Sequence, residues 1–438
     1  MQVPDIEKQT GIDLYVTETE GIGGKLKQTS EDFVVEEVTG REEGREGKYL
    51  ILELTKQNWE THHLIRDMSR ILGISSKRFG FAGTKDKRAL TTQRISIYNL
   101  EAEDVERIKL RDVNLKVLGR SNKDVGLGDL VGNKFKIIVR DIDLPRQELD
   151  NRLMNITSTI NNLDGVPNFF GIQRFGSRRP ITHLVGESIV RGDIEKAAID
   201  YISLGFPDEH EKTRLVRDRF YKECNYIESL KEYPVQLRYE RAMMHYLVNN
   251  PDDFAGAFGE LSSNMRNMFV HAYQSYIYNR IICRRIREEL PLNEAVEGDI
   301  VCFKNKQGLP DTSRLETVTT SKIKGINNLI RRGRAFVTAP LVGTSTEFTD
   351  SSPGNIEKEI LQETGVEQKD FHIPEIPRIT SKGRRREILL NVKPAYTIAD
   401  DELNEGKKKV TLEFCLPKGS YATTVLREYM KAEPADMS

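Results

Sequence analysis

One strand pattern near the end of this 438-residue chain most limits the folds that are open to it. From Val410 to Leu416 apolar and polar residues alternate, which is typical of a strand with one buried face. The preceding stretch, from about residue 190, is mainly helical in character and includes a long predicted helix over residues 266–287. A strand placed so late predicts a domain that is interrupted by an insertion and completed by the C-terminal residues.

The first part of the chain has both strand and helix signals. Residues 49–55 and 135–140 have strand character. Between them, apolar residues at helical spacing predict a helix over residues 62–72, capped by Thr61 and ended by Gly73. The first part of the chain therefore supplies the strands that the late strand would join.

A glycine-punctuated loop follows this predicted helix. Residues 80–93 read GFAGTKDKRALTTQ, so that Asp86 lies between Lys85 and Lys87, with Arg88 next. Nearby cations favour the ionised form of a carboxylate, which lets it act as a nucleophile or base beside a polyanionic substrate. The loop connects two predicted strands, where catalytic groups are often found. Taken alone, such residues more often form a solvated, lysine-rich turn.

The composition argues against several classes of protein and site. No apolar run approaches the roughly 18 residues of a membrane-spanning helix, and the first residues lack the apolar stretch of a signal peptide. We therefore expect a cytoplasmic protein with no membrane association. The four cysteines form no Cys-x-x-Cys pair and are expected to be free thiols. None of the seven histidines is placed to complete a metal site.

The charge distribution is more informative than the total charge. A formal net charge of −1 does not indicate a nucleic-acid binder. The charges are nevertheless segregated, with basic clusters at 85–88, 174–179, 322–334 and 382–386, and acidic clusters at 42–46 and 400–405. Such a protein can present a positive cleft while it remains near neutral overall. Each cluster alone more often forms a solvated face.

A second motif, at residues 168–176, reads NFFGIQRFG and interleaves polar and aromatic residues between glycines. Together with the loop around Asp86, it resembles the TruD family of RNA pseudouridine synthases. The resemblance continues in order along the chain, through Lys27 with EDFVVE at 31–36, GDLVGNKF at 128–135, and LPKGSYATTVLRE at 416–428. Five ordered blocks are far harder to match by accident than any one of them.

The resemblance implies an α+β fold, with a pseudouridine-synthase-type catalytic domain whose mixed sheet is mainly antiparallel. A large, helix-rich insertion domain is expected to interrupt it. On this basis we expect residues 1–190 and 389–438 to form the catalytic domain and residues 191–388 the insertion. The resemblance further implies a tRNA pseudouridine synthase that acts on uridine 13 in the D arm, without a cofactor or metal. The expected partner is tRNA alone, and the protein is expected to be a monomer.

The resemblance also implies roles for individual residues. It assigns the nucleophile to Asp86 and makes Lys27 the candidate cation beside it. The candidate contacts to a flipped uridine are Phe33, Asn168, Phe170 and Tyr421. Because Ser420 is a predicted cap of a helix that runs through Arg427, a packing role for Tyr421 is equally open. Clustering selects the candidate phosphate contacts: Lys85, Lys87, Arg88, Arg174, Arg178, Arg179, Arg331, Arg332, Arg334, Arg384, Arg385 and Arg386.

Two alternatives from other classes remain at this point. In one, the chain is an RNA-binding or RNA-folding factor whose lysine-rich loop grips phosphates, and binding does not depend on Asp86. In the other, Asp86 serves a hydrolytic enzyme, such as a nucleosidase or a base-excising glycosylase, which releases free uracil. A lone aspartate does not determine the fate of the detached base, so only the family resemblance separates these alternatives.

Overall fold

The computed structural model describes residues 2–376 and 378–437. Met1, Pro377 and Ser438, which the predicted domain ranges include, lie outside the described residues. The chain divides into two compact units. The sheet unit comprises residues 17–166, 305–309 and 390–437, and the helical unit comprises residues 2–16, 167–304 and 310–389.

The described residues form helices in both units. The helices are α1 (Asp5–Lys8), α2 (Thr61–Leu72), α3 (Arg146–Asn162), α4 (Thr182–Val190), α5 (Ile194–Ser203), α6 (Glu211–Glu223), α7 (Tyr226–Glu232), α8 (Arg238–Asn249), α9 (Phe254–Gly259), α10 (Ser263–Arg287), α11 (Ile323–Arg331), α12 (Ser352–Glu363) and α13 (Ala422–Met430). Among these residues, no helix is both long and apolar enough to cross a membrane.

The strands are distributed over three sheets. They are β1 (Phe33–Thr39), β2 (Tyr49–Gln57), β3 (Phe79–Phe81), β4 (Leu90–Tyr98), β5 (Val113–Ser121), β6 (Leu130–Ile142), β7 (Gly165–Pro167), β8 (Ile300–Lys304), β9 (Pro310–Thr317), β10 (Ala335–Leu341), β11 (Arg384–Glu387), β12 (Leu389–Asn391), β13 (Ala395–Asp400) and β14 (Lys408–Pro417). The predicted strands at 49–55 and 135–140 are confirmed as parts of β2 and β6.

The sheet unit is built on one eight-stranded sheet in the order β13-β14-β6-β1-β4-β2-β5, with β3 paired to β4. Its neighbours are antiparallel except for β1 and β4, which run parallel. The late strand β14 lies beside β6, so C-terminal residues complete a sheet that begins at Phe33. The predicted α+β class with a mainly antiparallel sheet is confirmed.

Helices cover the apolar face of this sheet. In one cluster, side chains of α3 and α13, such as Leu153 and Val425, pack with Val35 of β1 and Ile137 of β6. In a second cluster, α2 packs against β2 and β4, where Leu52 lies opposite Ile95. Burial of these apolar side chains, at roughly 25 cal/mol per Å², is the main force that stabilises the unit.

Two predicted helix caps are wrong. The carboxylate of Glu60, rather than Thr61, caps α2 by accepting from the backbone N–H groups of His62 and His63 at 3.0 and 2.8 Å. Glu60 precedes the helix and has the extended backbone that a cap requires, whereas Thr61 is already its first residue. Similarly, Ser420 does not cap α13, because the capping position belongs to Tyr421. Gly73, in the left-handed region, ends α2 as predicted.

The helical unit surrounds the long helix α10, which confirms the helix predicted over residues 266–287. Its aromatic side chains Phe269, Tyr273 and Tyr278 are buried. Helix α4 crosses α10 so closely that a Cβ atom at Gly186 would lie 2.1 Å from the carbonyl oxygen of Phe269. Only glycine permits this approach. A separate four-stranded antiparallel sheet, in the order β11-β10-β8-β9, belongs to the same unit.

Candidate active site

The loop that carries Asp86 lies where two strands, β1 and β3, pair with successive parts of the same strand, β4. β1 and β3 share one edge of β4: β1 pairs with residues 90–92, whereas β3 pairs with residues 95–97. The buried carboxylate of Glu37 lies between these two pairings and accepts from the backbone N–H of Arg94 at 2.9 Å. The loop from β3 to β4 therefore starts and ends on fixed strands, as the sequence predicted for Asp86.

The side chain of Asp86 lies beside the ammonium group of Lys27. Its carboxylate is 57% exposed, and the Nζ atom of Lys27 lies 3.3 Å from its Oδ2 atom. The same Nζ atom lies 4.6 Å from the centre of the Phe33 ring. Arg88 donates to the carbonyl oxygen of Lys27 at 2.9 Å, which links the loop to the backbone of residue 27. The structure thus brings together four of the predicted residues: Asp86, Lys27, Phe33 and Arg88.

Other contacts fix the backbone of the loop. The backbone N–H of Lys85 donates to the hydroxyl of Thr61 at 3.2 Å, and Gln93 donates to the carbonyl oxygen of Gly83 at 3.2 Å. The ammonium of Lys85 turns inward and pairs with Glu37 at 3.0 Å, and the Lys85 side chain is only 7% exposed. Of the three predicted basic residues in this loop, Lys87 and Arg88 are the exposed ones.

Sequence reasoning missed Lys56, which lies beneath this loop. Lys56 is fully buried, and its Nζ atom donates to the carbonyl oxygens of Trp59 at 2.7 Å, Asp86 at 3.1 Å and Lys85 at 3.4 Å. Burial lowers the pKa of Lys56 to about 8, although the negative charge of Asp86 opposes the shift. A signal was present in the sequence, because Lys56 continues the buried phase of β2 set by Leu52 and Leu54.

Another group of predicted residues meets in the helical unit. The amide of Asn168 accepts from Arg386 at 2.7 Å and donates to Glu387 at 3.1 Å. The guanidiniums of Arg386 and Arg174 lie 4.4 and 5.8 Å from the centre of the Phe170 ring. A guanidinium over an aromatic face gains electrostatic stabilisation from the ring. Arg386 therefore contacts both Asn168 and Phe170 within their own unit.

In the helical unit, two predicted phosphate contacts are paired with protein carboxylates, as Lys85 is in the sheet unit. The side chain of Arg385, 6% exposed, is paired with Glu357 and donates to the hydroxyl of Thr338 at 2.9 Å. Arg179, 12% exposed, donates to the carbonyl oxygen of Leu204 at 2.8 Å and lies within 4 Å of Glu240. The charges of Arg385 and Arg179 are thus paired within the helical unit.

The remaining predicted phosphate contacts in the helical unit lie on its surface. Arg178 and Arg384 are exposed, and so are three arginines around the end of α11: Arg331, Arg332 and Arg334. Tyr421 is half-buried in the sheet unit, where it precedes α13. All four cysteines are free, as predicted. Among the described residues, no group of three His, Cys, Asp or Glu side chains is arranged to hold a metal ion.

This geometry defines a class of site. An exposed aspartate beside a lysine, on a loop held by a rigid sheet, is suited to covalent or general-base chemistry by a carboxylate. The lysine lies 3.3 Å from the carboxylate, and the strands on both sides limit how far the loop can move.

Comparisons with known proteins identify the family. The model of the family described as tRNA pseudouridine synthase D (TruD) matches residues 9–429. A protein of Methanococcoides burtonii named probable tRNA pseudouridine synthase D is 65% identical over 436 residues, which cover 100% of this chain and 99% of the relative. A Methanosarcina barkeri protein of the same name is 59% identical, with both chains fully covered.

A solved structure agrees with these sequence matches. The crystal structure of the putative tRNA pseudouridine synthase D (TruD) from Methanosarcina mazei has a TM-score of 0.93 and 57% sequence identity to this chain. The match covers 100% of both chains. The chain belongs to the TruD family of tRNA pseudouridine synthases. The resemblance inferred from the five sequence blocks is therefore confirmed.

Proposed function

We propose that this protein isomerises uridine 13 in the D arm of tRNA to pseudouridine and that Asp86 is the nucleophile. Membership of the family supports the reaction class. The observation that carries the assignment of the nucleophile is the pair formed by Asp86 and Lys27, 3.3 Å apart on a loop fixed to the sheet. Asp86 is also the more exposed partner, so its carboxylate is accessible to a substrate.

The reaction is an isomerisation, so every atom of the uridine is retained. The bond between the ribose and N1 of the base breaks, the base turns while it is held, and the ribose is joined to C5. The proton on C5 is lost and N1 gains one. Asp86 attacks in this scheme, and Lys27 holds the attacking carboxylate in place through their contact at 3.3 Å. No step requires a cofactor or a metal.

The scheme needs groups that hold a flipped base and the RNA backbone. We propose Phe33, Asn168, Phe170 and Tyr421 as contacts to the uridine, because aromatic and amide side chains are typical of pockets for flipped bases. Lys85, Arg179 and Arg385 are paired with carboxylates of the protein, so for the phosphates we propose the other predicted basic residues: Lys87, Arg88, Arg174, Arg178, Arg331, Arg332, Arg334, Arg384 and Arg386. We further propose the catalytic domain as residues 1–190 and 389–438, with residues 191–388 as the insertion.

The test compares the wild-type protein with Asp86→Asn on unmodified tRNA, with pseudouridine mapped by carbodiimide adducts. Asn has nearly the same shape as Asp but no negative charge, so we expect tRNA binding to persist while conversion is lost. The matched control is Asp143→Asn, which changes a carboxylate of the same unit that is 84% exposed and paired with Lys407. This control should convert uridine 13 at the wild-type rate.

The other outcomes separate the alternatives. Conversion of uridine to pseudouridine by Asp86→Asn would show that Asp86 is not the nucleophile. A pseudouridine at another position would contradict the choice of uridine 13. Free uracil and an abasic site would indicate a glycosylase, and tight binding without any product from the wild type would indicate an RNA-binding factor.

A further inference from the structure

Lys56 is a buried cation that lies directly beneath the loop of Asp86. It occupies the end of β2, in phase with Leu52 and Leu54, where the other side chains of that phase are apolar. No ion pair among the described residues includes it. Burial of a charge without an ion pair is unfavourable, so an apolar residue at this position would serve the stability of the sheet better.

The contacts of Lys56 match the chemistry of its ammonium group. An ammonium has three N–H donors and no acceptor, and three carbonyl oxygens lie within 3.4 Å of its Nζ atom. The carbonyl of Trp59 belongs to the segment that leads into α2. The carbonyls of Lys85 and Asp86 belong to the loop. Lys56 therefore ties the loop to a fixed part of the sheet unit.

The two loop carbonyls that Lys56 contacts are the ones that flank the Cα atom of Asp86, so these hydrogen bonds can orient its side chain. The carbonyls of residues 85 and 86 belong to the two peptide groups on either side of the Asp86 Cα atom. When both peptide planes are fixed, the direction of the Cα–Cβ bond of Asp86 is fixed as well. Because the Asp86 carboxylate itself is exposed, these backbone hydrogen bonds complement its side-chain contact with Lys27.

We infer that Lys56 is a positioning residue for the pseudouridine reaction, which orients the Asp86 carboxylate through the two backbone carbonyls that flank its Cα atom. This inference rests on the proposed function of Asp86. Lys56 does not touch the substrate, so it acts on the rate of the chemical step and leaves tRNA affinity nearly unchanged. A displacement of a reacting group by about 1 Å can cost about 100-fold in rate.

The first test is a kinetic comparison with Lys56→Met, which keeps the length of the side chain and removes its donors. We expect kcat to fall by about 100-fold while KM for tRNA stays within about threefold of the wild type. Lys56→Gln keeps two N–H donors without the charge, so its loss of kcat should be smaller. The control is Lys116→Met, an exposed lysine of β5 opposite Glu53, which should behave like the wild type.

A pH profile distinguishes positioning from simple support of the fold. The charged groups that act on Lys56 are Asp86 and Glu60, which favour its ammonium form, and Lys85, which opposes it. Loss of a proton leaves two donors for three carbonyls, so kcat of the wild type should fall as the pH rises through about 8. Lys56→Met has no such group and should lack this decline, whereas any decline due to the RNA itself would remain in both proteins.

Three results would contradict a positioning role for Lys56 alone. Equal kcat values for the wild type and Lys56→Met, or a change confined to a higher KM, would overturn it while leaving the function of Asp86 intact. The same alkaline decline in both proteins would also overturn it. If Lys56→Met is not recovered in folded form, Lys56→Gln decides, and full activity of Lys56→Gln would overturn the inference. A wild-type protein that makes no pseudouridine would overturn the proposed function and this inference together.

Discussion

The buried guanidinium of Arg140 should be a major determinant of the stability of the sheet unit. Arg140 lies on β6 and is 6% exposed. It pairs with Asp32 at 2.7 Å, on the segment before β1, and with Asp401 at 2.7 Å, on the segment between β13 and β14. Both carboxylates are fully buried. The change Arg140→Met removes the cation that these two carboxylates share.

The structure sets the expected size of the effect. Removal of one partner from a buried ion pair leaves an uncompensated charge and typically costs about 3–5 kcal/mol in the free energy of unfolding. Arg140→Met leaves two such charges, so we expect a loss at or above about 4 kcal/mol at pH 7. The matched control is Lys136→Met on the same strand. Lys136 is 54% exposed and lies 3.8 Å from Glu413, so its loss should cost less than about 1 kcal/mol.

Urea unfolding, followed by tryptophan fluorescence, measures this difference. Trp59 is the sole tryptophan of the chain, and it packs against the α2 cluster of the sheet unit, so it reports on the unit that contains Arg140. The unfolding midpoint of Arg140→Met should shift to markedly lower urea, whereas that of Lys136→Met should stay near the wild-type value. Equal shifts for the two variants would refute the argument.

The effect should also depend on pH. Burial by itself would raise the pKa of Asp401, but hydrogen bonds from the backbone N–H of Asp141 and from Arg140 help to hold it at about 2. A lowered carboxyl pKa contributes stability that is present above the ordinary value of 3.8 and is lost as the pH falls through about 2. In Arg140→Met, protonation relieves the unpaired charge. The stability difference from the wild type should therefore narrow as the pH falls from 7 towards 3, and a constant difference would contradict this explanation.

Two further predictions concern the surface of the protein. Replacement of Arg331, Arg332 and Arg334 by Gln should weaken tRNA binding and reduce the slope of log Kd against log salt by up to about 2.7, because each lost phosphate contact removes about 0.7–0.9. An unchanged slope would place the RNA elsewhere. A chromogenic disulfide reagent should label two of the four thiols quickly, Cys224 and Cys415, because the other two are buried and burial raises the pKa of Cys302 to about 12. Four fast thiols in the native protein would contradict this assignment.

Local patterns in the sequence were sufficient for the parts of the fold that depend on local physics. Alternation over 410–416 predicted β14, and helical spacing over 62–72 predicted α2. An element with one buried face has apolar residues at every second position in a strand and at every third or fourth position in a helix. The position of Asp86 between strands followed from the same reasoning. The sequence blocks identified the family, which the comparisons confirm. The choice of uridine 13, the domain limits and the roles of the site residues stay predictions.

Side-chain partners could not be predicted in the same way. Arg385 and Arg178 look alike in the sequence, yet Arg385 is buried against Glu357, 28 residues away, and Arg178 is exposed. Which charge is paired depends on contacts between distant residues, and composition does not encode them. Lys56 shows both sides of this limit. Its burial could be predicted, because it continues the apolar alternation of β2, but its carbonyl partners could not, because they belong to other segments.

The late position of β14 also sets the order in which the protein can be completed during its synthesis. Arg140 and Asp401 are separated by 261 residues, and at roughly 5–20 residues per second the ribosome needs about 13–50 s to make them. Throughout this interval β6 has no strand on the side that β14 later covers, and its unpaired N–H and C=O groups are open to wrong partners. The nascent sheet therefore has an open edge at β6 until its last neighbour emerges.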